Sequence, residues 1–133
     1  MDSVTVSFRY QTAHITLNYP VAITGMPINS LKKLFKYMIS DWHWEENEDA
    51  VKITRRILQD YVEETKNAWQ NASAEFTEGY TDTKYKFGVD TKDAEASNKK
   101  LLANVKKAKT KAERAKKLLS IFEENITKYS NEI

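Results

Sequence analysis

The sequence of 133 residues contains no cysteine, two histidines, three glycines and two prolines. The absence of cysteine excludes disulfide bonds, thiol nucleophiles and cysteine-ligated zinc sites. Two histidines are too few for a three-histidine metal centre, and three glycines argue against a glycine-rich phosphate-binding loop of the usual kind. No apolar run approaches the roughly 18 residues that a membrane-spanning helix needs, so we expect no membrane partner.

Charge and apolar content are close to those of an ordinary globular chain. The 21 Lys and Arg residues against 19 Asp and Glu residues leave a net charge of +2, which by itself favours neither a nucleic acid nor a membrane surface. A hydrophobic content of 41% with 11% aromatic residues is enough for a core, which predicts one domain spanning 1–133. The first residues lack the pattern of a secretory signal, so we expect a cytoplasmic protein.

Apolar and polar residues alternate over 4–10 and again over 13–19, which is typical of half-buried strands. When the two segments are folded back on each other, every apolar residue faces an apolar residue, as in the pair Phe8 and Ile15. The pattern therefore predicts an antiparallel β-hairpin within 4–24.

The turn of this hairpin is the weaker part of the prediction. It falls on Gln11 and Thr12, neither of which favours a positive φ, so we expect a loop one or two residues longer. Pro20 ends the second strand, and the spacing of Val21 and Ile23 suggests a short third strand. A hairpin of two strands is marginal alone, so its apolar face needs a helix to cover it.

A first helix, predicted over 29–43, supplies that cover. Asn29 and Ser30 are good N-caps. Its apolar residues recur at spacings of three and four, which places them on one stripe. These residues are Ile28, Leu31, Phe35, Met38 and Trp42.

The second half of the chain predicts two long helices, over 47–78 and 91–131, with Gly79 as a stop after the first. The last helix has an unbroken heptad pattern whose one polar member is Asn98. Two long helices joined by a short loop pack antiparallel, and the end that carries Phe122 should then pack on the first helix or the hairpin. The predicted fold class is α+β, with an N-terminal antiparallel β-hairpin covered by a helix and then a long, coiled-coil-like antiparallel helical hairpin.

The two long helices carry opposite charge. Asp41 to Glu78 includes ten acidic and four basic residues, net −6, and Lys99 to Lys117 includes nine basic and one acidic residue, net +8. One interpretation is a solvated helix face paired across the hairpin, with Lys106 near Glu63. The other is a nucleic-acid-binding surface. It would use Lys99, Lys100, Lys106, Lys107, Lys109, Lys111 and Arg114.

Aromatic residues at two places are candidate anchors for a protein partner. Trp42, His43 and Trp44 are consecutive and cannot all face one core, so at least one ring should lie at the surface, where Trp is often an interface hot spot. The second group mixes rings with lysines at the predicted tip of the helical hairpin. The predicted partner-binding residues are Trp42, Trp44, Tyr80, Tyr85 and Phe87.

No combination of residues predicts catalysis, a metal or a cofactor. The sequence therefore predicts a non-enzymatic protein-interaction module, a binding or inhibitor protein, whose partner it does not identify. A homo-oligomer is expected because elongated helical hairpins associate through residual apolar surface. The alternatives are a nucleic-acid-binding protein and an oligomer that sequesters a small ligand. In its size and its many Lys and Asn residues, the chain resembles small proteins of AT-rich bacteria and their phages.

Overall fold

The computed structural model describes the backbone of residues 3–41, 43–85 and 91–131, and the side chains of residues 3–41, 43–77 and 98–129. The elements follow the order β1 (Val4–Tyr10), β2 (Ala13–Tyr19), α1 (Val21–Gly25), α2 (Ile28–Ser40), α3 (Glu45–Tyr85) and α4 (Thr91–Asn131). An N-terminal hairpin followed by helices, with α3 and α4 closely packed, confirms the predicted α+β class.

The chain divides into two compact units, each described here by itself. The first consists of Met1–Asp60 with Lys116–Ile133, and the second is Tyr61–Ala115. The first unit holds the hairpin, α1, α2 and one end of each long helix. The second holds the C-terminal part of α3 and the N-terminal part of α4.

The hairpin has the predicted register, from the pair Val4–Tyr19 to the pair Tyr10–Ala13. The expectation of a longer loop was wrong, because only two residues separate the strands. Gln11 adopts a φ of 56°, the positive value that a two-residue turn requires. A contact outside the hairpin holds this turn, since the Gln11 N–H donates to Asp41 Oδ2 at 3.0 Å.

The segment after the hairpin is the short helix α1, so the suggested third strand was wrong. The Thr24 N–H donates to the carbonyl oxygen of Pro20 at 3.0 Å, which closes one helical turn. Ala22 and Ile23 are both buried. A helical turn places these neighbours against one core, whereas a strand would point them to opposite faces.

The core of the first unit joins residues from distant parts of the chain. The Phe35 ring of α2 meets the Phe122 ring of α4 edge to face, with centroids 5.1 Å apart, and both side chains are fully buried. This contact confirms the prediction that the end of α4 packs on the first helix. Other fully buried apolar side chains are Phe8, Tyr19, Ile23, Leu31, Met38, Leu58 and Leu118.

The buried stripe of α4 departs from a strict heptad near its end. Leu118 is fully buried, whereas Leu119, the predicted seam residue, is half-buried. Leu118 lies four residues before Phe122 on the same side of the helix, so it shares the face that meets Phe35 of α2.

Two helix ends differ from the prediction. The helix α2 ends at Ser40, before the predicted end at residue 43. The helix α3 continues through Gly79 to Tyr85, so the predicted stop was wrong. A single glycine in a helix interior costs only about 1 kcal/mol, which a long helix tolerates.

In the second unit, small side chains line the interior. Ala112 and Ala115 are buried and Ala108 is half-buried, so these small residues lie on the covered side of α4. Tyr61 is buried as well, and desolvation raises the pKa of its hydroxyl, opposed by the nearby charge of Arg114. The side-chain oxygen of Asn98, the polar member of the heptad pattern, is buried with no hydrogen-bond partner among the described residues.

Candidate functional site

Four side chains form a cluster where the exposed face of the hairpin meets the start of α3. We name it the Trp44 surface and define it as Arg9, His14, Trp44 and Glu46. Arg9 of β1 lies directly opposite His14 of β2, so both side chains project from the same face of the sheet. All four residues belong to the first unit.

Glu46 ties the two strands of the hairpin to the first turn of α3. Its Oε1 atom lies 2.7 Å from Nε2 of His14, and its Oε2 atom lies 3.5 Å from Nε of Arg9. The His14 contact is an ion pair when the imidazole is protonated. The Glu46 carboxylate therefore contacts one basic side chain on each strand of the hairpin, Arg9 on β1 and His14 on β2.

Both the backbone and the ring of Trp44 make contacts within the first unit. Its N–H donates to the carbonyl oxygen of Asp41 at 3.2 Å, and its own carbonyl accepts from the N–H of Glu48 at 3.0 Å. The guanidinium carbon of Arg9 lies 4.9 Å from the centre of the Trp44 ring, a cation–π contact. The indole nevertheless remains 43% exposed, so it is held in place without being covered.

Asn47 anchors this cluster from beneath, and it is completely buried. Its Oδ1 accepts from the backbone N–H of Arg9 at 2.7 Å, and its Nδ2 donates to the carbonyl oxygens of Arg9 at 2.8 Å and Met38 at 3.1 Å. One side-chain amide therefore joins β1, α2 and α3. At Arg9, the Asn47 side chain makes the hydrogen bonds that a neighbouring strand would otherwise make. It thereby fixes the backbone of Arg9, whose guanidinium lies over the Trp44 ring.

A second buried polar contact lies further along α3. The hydroxyls of Tyr19 and Thr54 are 2.8 Å apart, and both side chains are buried. Burial raises the pKa of Tyr19 to about 12, because desolvation outweighs the hydrogen bond with Thr54. This hydroxyl is neutral at physiological pH and links the hairpin to α3 structurally.

Sequence reasoning missed Asn47 and Thr54 as interior residues. Asn47, Ala50 and Thr54 follow the spacing of three and four that marks a helix face, and this periodicity was the available signal. Apolar content alone does not reveal such a face when two of its three members are polar.

The structure tests few of the predicted anchors. Trp44 lies at the surface, in accord with the expectation that one ring of this segment would be exposed. Trp42 and Phe87 lie outside the described residues. Tyr80 and Tyr85 belong to the backbone of α3, but their side chains also lie outside the described part. The assignment of all five residues as anchors, Trp44 included, stays a prediction.

The lysine face is the second candidate surface, defined by the seven basic residues predicted for nucleic-acid binding. Its six lysines are exposed and Arg114 is half-buried. Among the described residues, the only one of these lysines with a carboxylate within 4 Å is Lys109, which lies 3.9 Å from Glu113 of its own helix. The expected pairing of Lys106 with Glu63 is therefore absent, because long exposed side chains gain little from such a pair.

Within the described ranges, no group of three or more His, Asp or Glu side chains is placed to hold a metal ion. None of the described helices combines the length and the apolar character that crossing a bilayer requires. Comparison of the chain with protein-family models, with curated proteins and with solved structures gives no match.

Proposed function

We propose that this chain is a non-enzymatic protein-interaction module, a binding or inhibitor protein, that contacts its partner through the Trp44 surface. The observation that supports this most directly is a Trp44 indole that is 43% exposed yet held by Arg9 at 4.9 Å. Trp and Arg are the residue types that most often dominate binding energy at protein interfaces. An aromatic ring that is ordered before binding also loses less conformational freedom on association.

The chemistry around the ring indicates what kind of partner fits. Glu46 engages Arg9 and His14, so charges of both signs surround an apolar ring. A matching protein surface offers an apolar pocket for the indole and polar groups at its rim, the usual arrangement of an interface. In this proposal Trp42, Tyr80, Tyr85 and Phe87 remain additional predicted anchors.

Replacing Trp44 with alanine is expected to weaken partner binding by about 30-fold or more, the loss that truncating a hot-spot residue of about 2 kcal/mol produces. Tagged full-length wild-type and W44A chains are used to capture proteins from a cell extract, and captured proteins are quantified by mass spectrometry. The dissociation constant of each protein depleted in the W44A sample is then measured with purified components.

The matched control is I53A, because Ile53 of α3 has a similar exposed fraction of 39%. A partner that binds through the Trp44 surface is retained by I53A and lost by W44A. If W44A captures every protein that the wild type captures, in equal amounts, Trp44 is not an anchor and the proposal fails.

The exposed lysine face supports a second candidate function, nucleic-acid binding. Its lysines keep their charge unpaired with the described acids of α3, and the segment that includes them has a net charge of +8. Neutralising phosphates with such residues releases counterions, which favours binding at low salt. A single Arg and the absence of interleaved aromatic residues favour phosphate contacts over base recognition.

Replacing Lys106 and Lys107 together with glutamine is expected to lower the slope of log affinity against log salt by about two, because each lysine that neutralises a phosphate adds about one to that slope. The measurement is fluorescence anisotropy with labelled duplex and single strands at a series of salt concentrations. The control is K33Q in α2, which removes an exposed lysine from a different surface. Absence of binding to either nucleic acid at low salt would remove this candidate function.

A further inference from the structure

The two-stranded sheet has two outer edges, and the alternation of hydrogen bonds shows which residues point outward. In an antiparallel pair, residues alternate between those that bond across the ladder and those whose N–H and C=O point away. The N–H and C=O of Arg9 point outward, because both bond to the side chain of Asn47. By the same alternation, the backbone groups of its partner His14 and of Thr16 and Asn18 point outward from β2.

The two edges differ in how they are covered. The β1 edge is blocked at Arg9, one of its three outward residues, by the Asn47 amide, which takes up the donor and the acceptor that another strand would need there. Among the described residues, no group bonds to the outward N–H and C=O of His14, Thr16 or Asn18. The outer edge of β2 therefore offers a row of backbone donors and acceptors.

The β2 strand also lacks the features with which edge strands avoid pairing. Ala13–Tyr19 contains no Lys, Arg, Asp, Glu or Pro, and its pairing with β1 has no bulge. Edge strands that stay unpaired usually carry a charge, a proline or a bulge. The side chains of Thr16 and Asn18 are tied to β1 by hydrogen bonds with Ser7 at 3.1 Å and Thr5 at 2.8 Å, which keeps the strand extended.

We propose that the chain forms a homodimer in which β2 pairs antiparallel with the β2 of a second copy, about a two-fold axis at Thr16. This proposal goes beyond the proposed function, because Trp44 takes no part in it. The register places Thr16 opposite Thr16 and His14 opposite Asn18 in both directions. Every outward residue of one strand meets an outward residue of the other, and each pair exchanges two backbone hydrogen bonds.

The second copy fits this edge because the strand is complementary to itself. No formal charge of one sign faces the same sign across the axis, and Thr opposite Thr is a favourable cross-strand pair. The result is a four-stranded sheet with the strand order β1, β2, β2, β1. In this sheet the outward N–H and C=O groups of both β2 strands are hydrogen-bonded. A strand pair of this length buries less than about 1,200 Å², the range of weak interfaces, so the dimer dissociates on dilution.

The test introduces charge at the axis, where the Thr16 side chain is exposed and its replacement leaves the core intact. The variants are T16K, T16E and their equimolar mixture, each as the full chain, measured by sedimentation equilibrium across micromolar to millimolar concentrations. Like charges facing each other are expected to raise the dimer dissociation constant of each single variant by at least about tenfold. The mixture pairs Lys with Glu and is expected to return to within about threefold of the wild type.

The matched control is S7K, which places the same charge on the same sheet face one strand further from the axis. Two such lysines lie three strand spacings apart in the dimer, roughly 14 Å, where salt screens their repulsion, so the dissociation constant is expected to stay within about threefold of the wild type. Far-UV circular dichroism verifies that each variant is folded. A wild-type chain that is monomeric at every concentration, or a dimer that T16K and T16E leave intact, would overturn the proposal.

Discussion

Replacing Phe122 with alanine is expected to lower the free energy of unfolding by about 3–5 kcal/mol. The ring is fully buried and meets Phe35 edge to face at 5.1 Å. Its removal takes away the transfer free energy of an aromatic side chain, leaves a cavity between α2 and α4, and removes an aromatic pair of about 0.5–1.5 kcal/mol. The loss is large because the ring is fully buried and its neighbours can fill the cavity only in part.

Chemical denaturation followed by far-UV circular dichroism measures this loss. The control is L102A on the same helix, where the side chain is 40% exposed and the expected loss is below about 1 kcal/mol. The variant F122L keeps most of the apolar volume and should fall between F122A and the wild type. A loss of less than about 1 kcal/mol for F122A would mean that this end of α4 does not stabilise the first unit.

The packing that this variant tests was predictable from the sequence. The heptad pattern of the last helix extends beyond the start of the helix paired with it, so Phe122 needed another element to cover it. The register of the hairpin was predictable for a similar reason. Shifting one strand by a single residue would turn Leu17 and Tyr19 to the exposed face, so the apolar pattern allows one pairing.

Features that depend on tertiary contacts could not be predicted in this way. Gln11 takes a positive φ although it has no intrinsic preference for it, and its N–H bonds to Asp41, 30 residues away. The helix α1 is a single turn, too short for any periodicity to identify. The burial of Leu118 in place of Leu119 depends on how this end of α4 packs against α2, which a heptad count does not contain.

The candidate site was likewise predictable from the sequence only in part. That a ring near residues 42–44 would be exposed follows from three consecutive aromatic side chains on one segment. That Trp44 is exposed and lies against Arg9 depends on where the hairpin meets α3, which no local pattern encodes. The absence of pairing at Lys106 likewise could not be read from charge, because charge content predicts attraction but does not fix the geometry of long exposed side chains.

Asn47 was not predicted to be an interior residue, and its replacement is expected to have the second large effect on stability. The variant N47L leaves the backbone N–H of Arg9 and the carbonyls of Arg9 and Met38 without their buried partner. Each unsatisfied buried group costs about 1–3 kcal/mol, reduced where water enters, so we expect the free energy of unfolding to fall by about 2–4 kcal/mol. Leucine keeps the branching of asparagine but is larger, so this loss combines the missing hydrogen bonds with the cost of overpacking.

The control is N18A, which removes an exposed amide with a single hydrogen bond to Thr5 and is expected to cost less than about 1 kcal/mol. Hydrogen exchange measured by NMR supplies a local readout. In N47L the amide of Arg9 loses its acceptor and should exchange faster than in the wild type, whereas the amide of Phe8, inside the ladder, should remain protected. Unchanged exchange at Arg9 would mean that Asn47 does not cap the β1 edge, and the contrast between the two edges that assigns self-association to β2 would disappear with it.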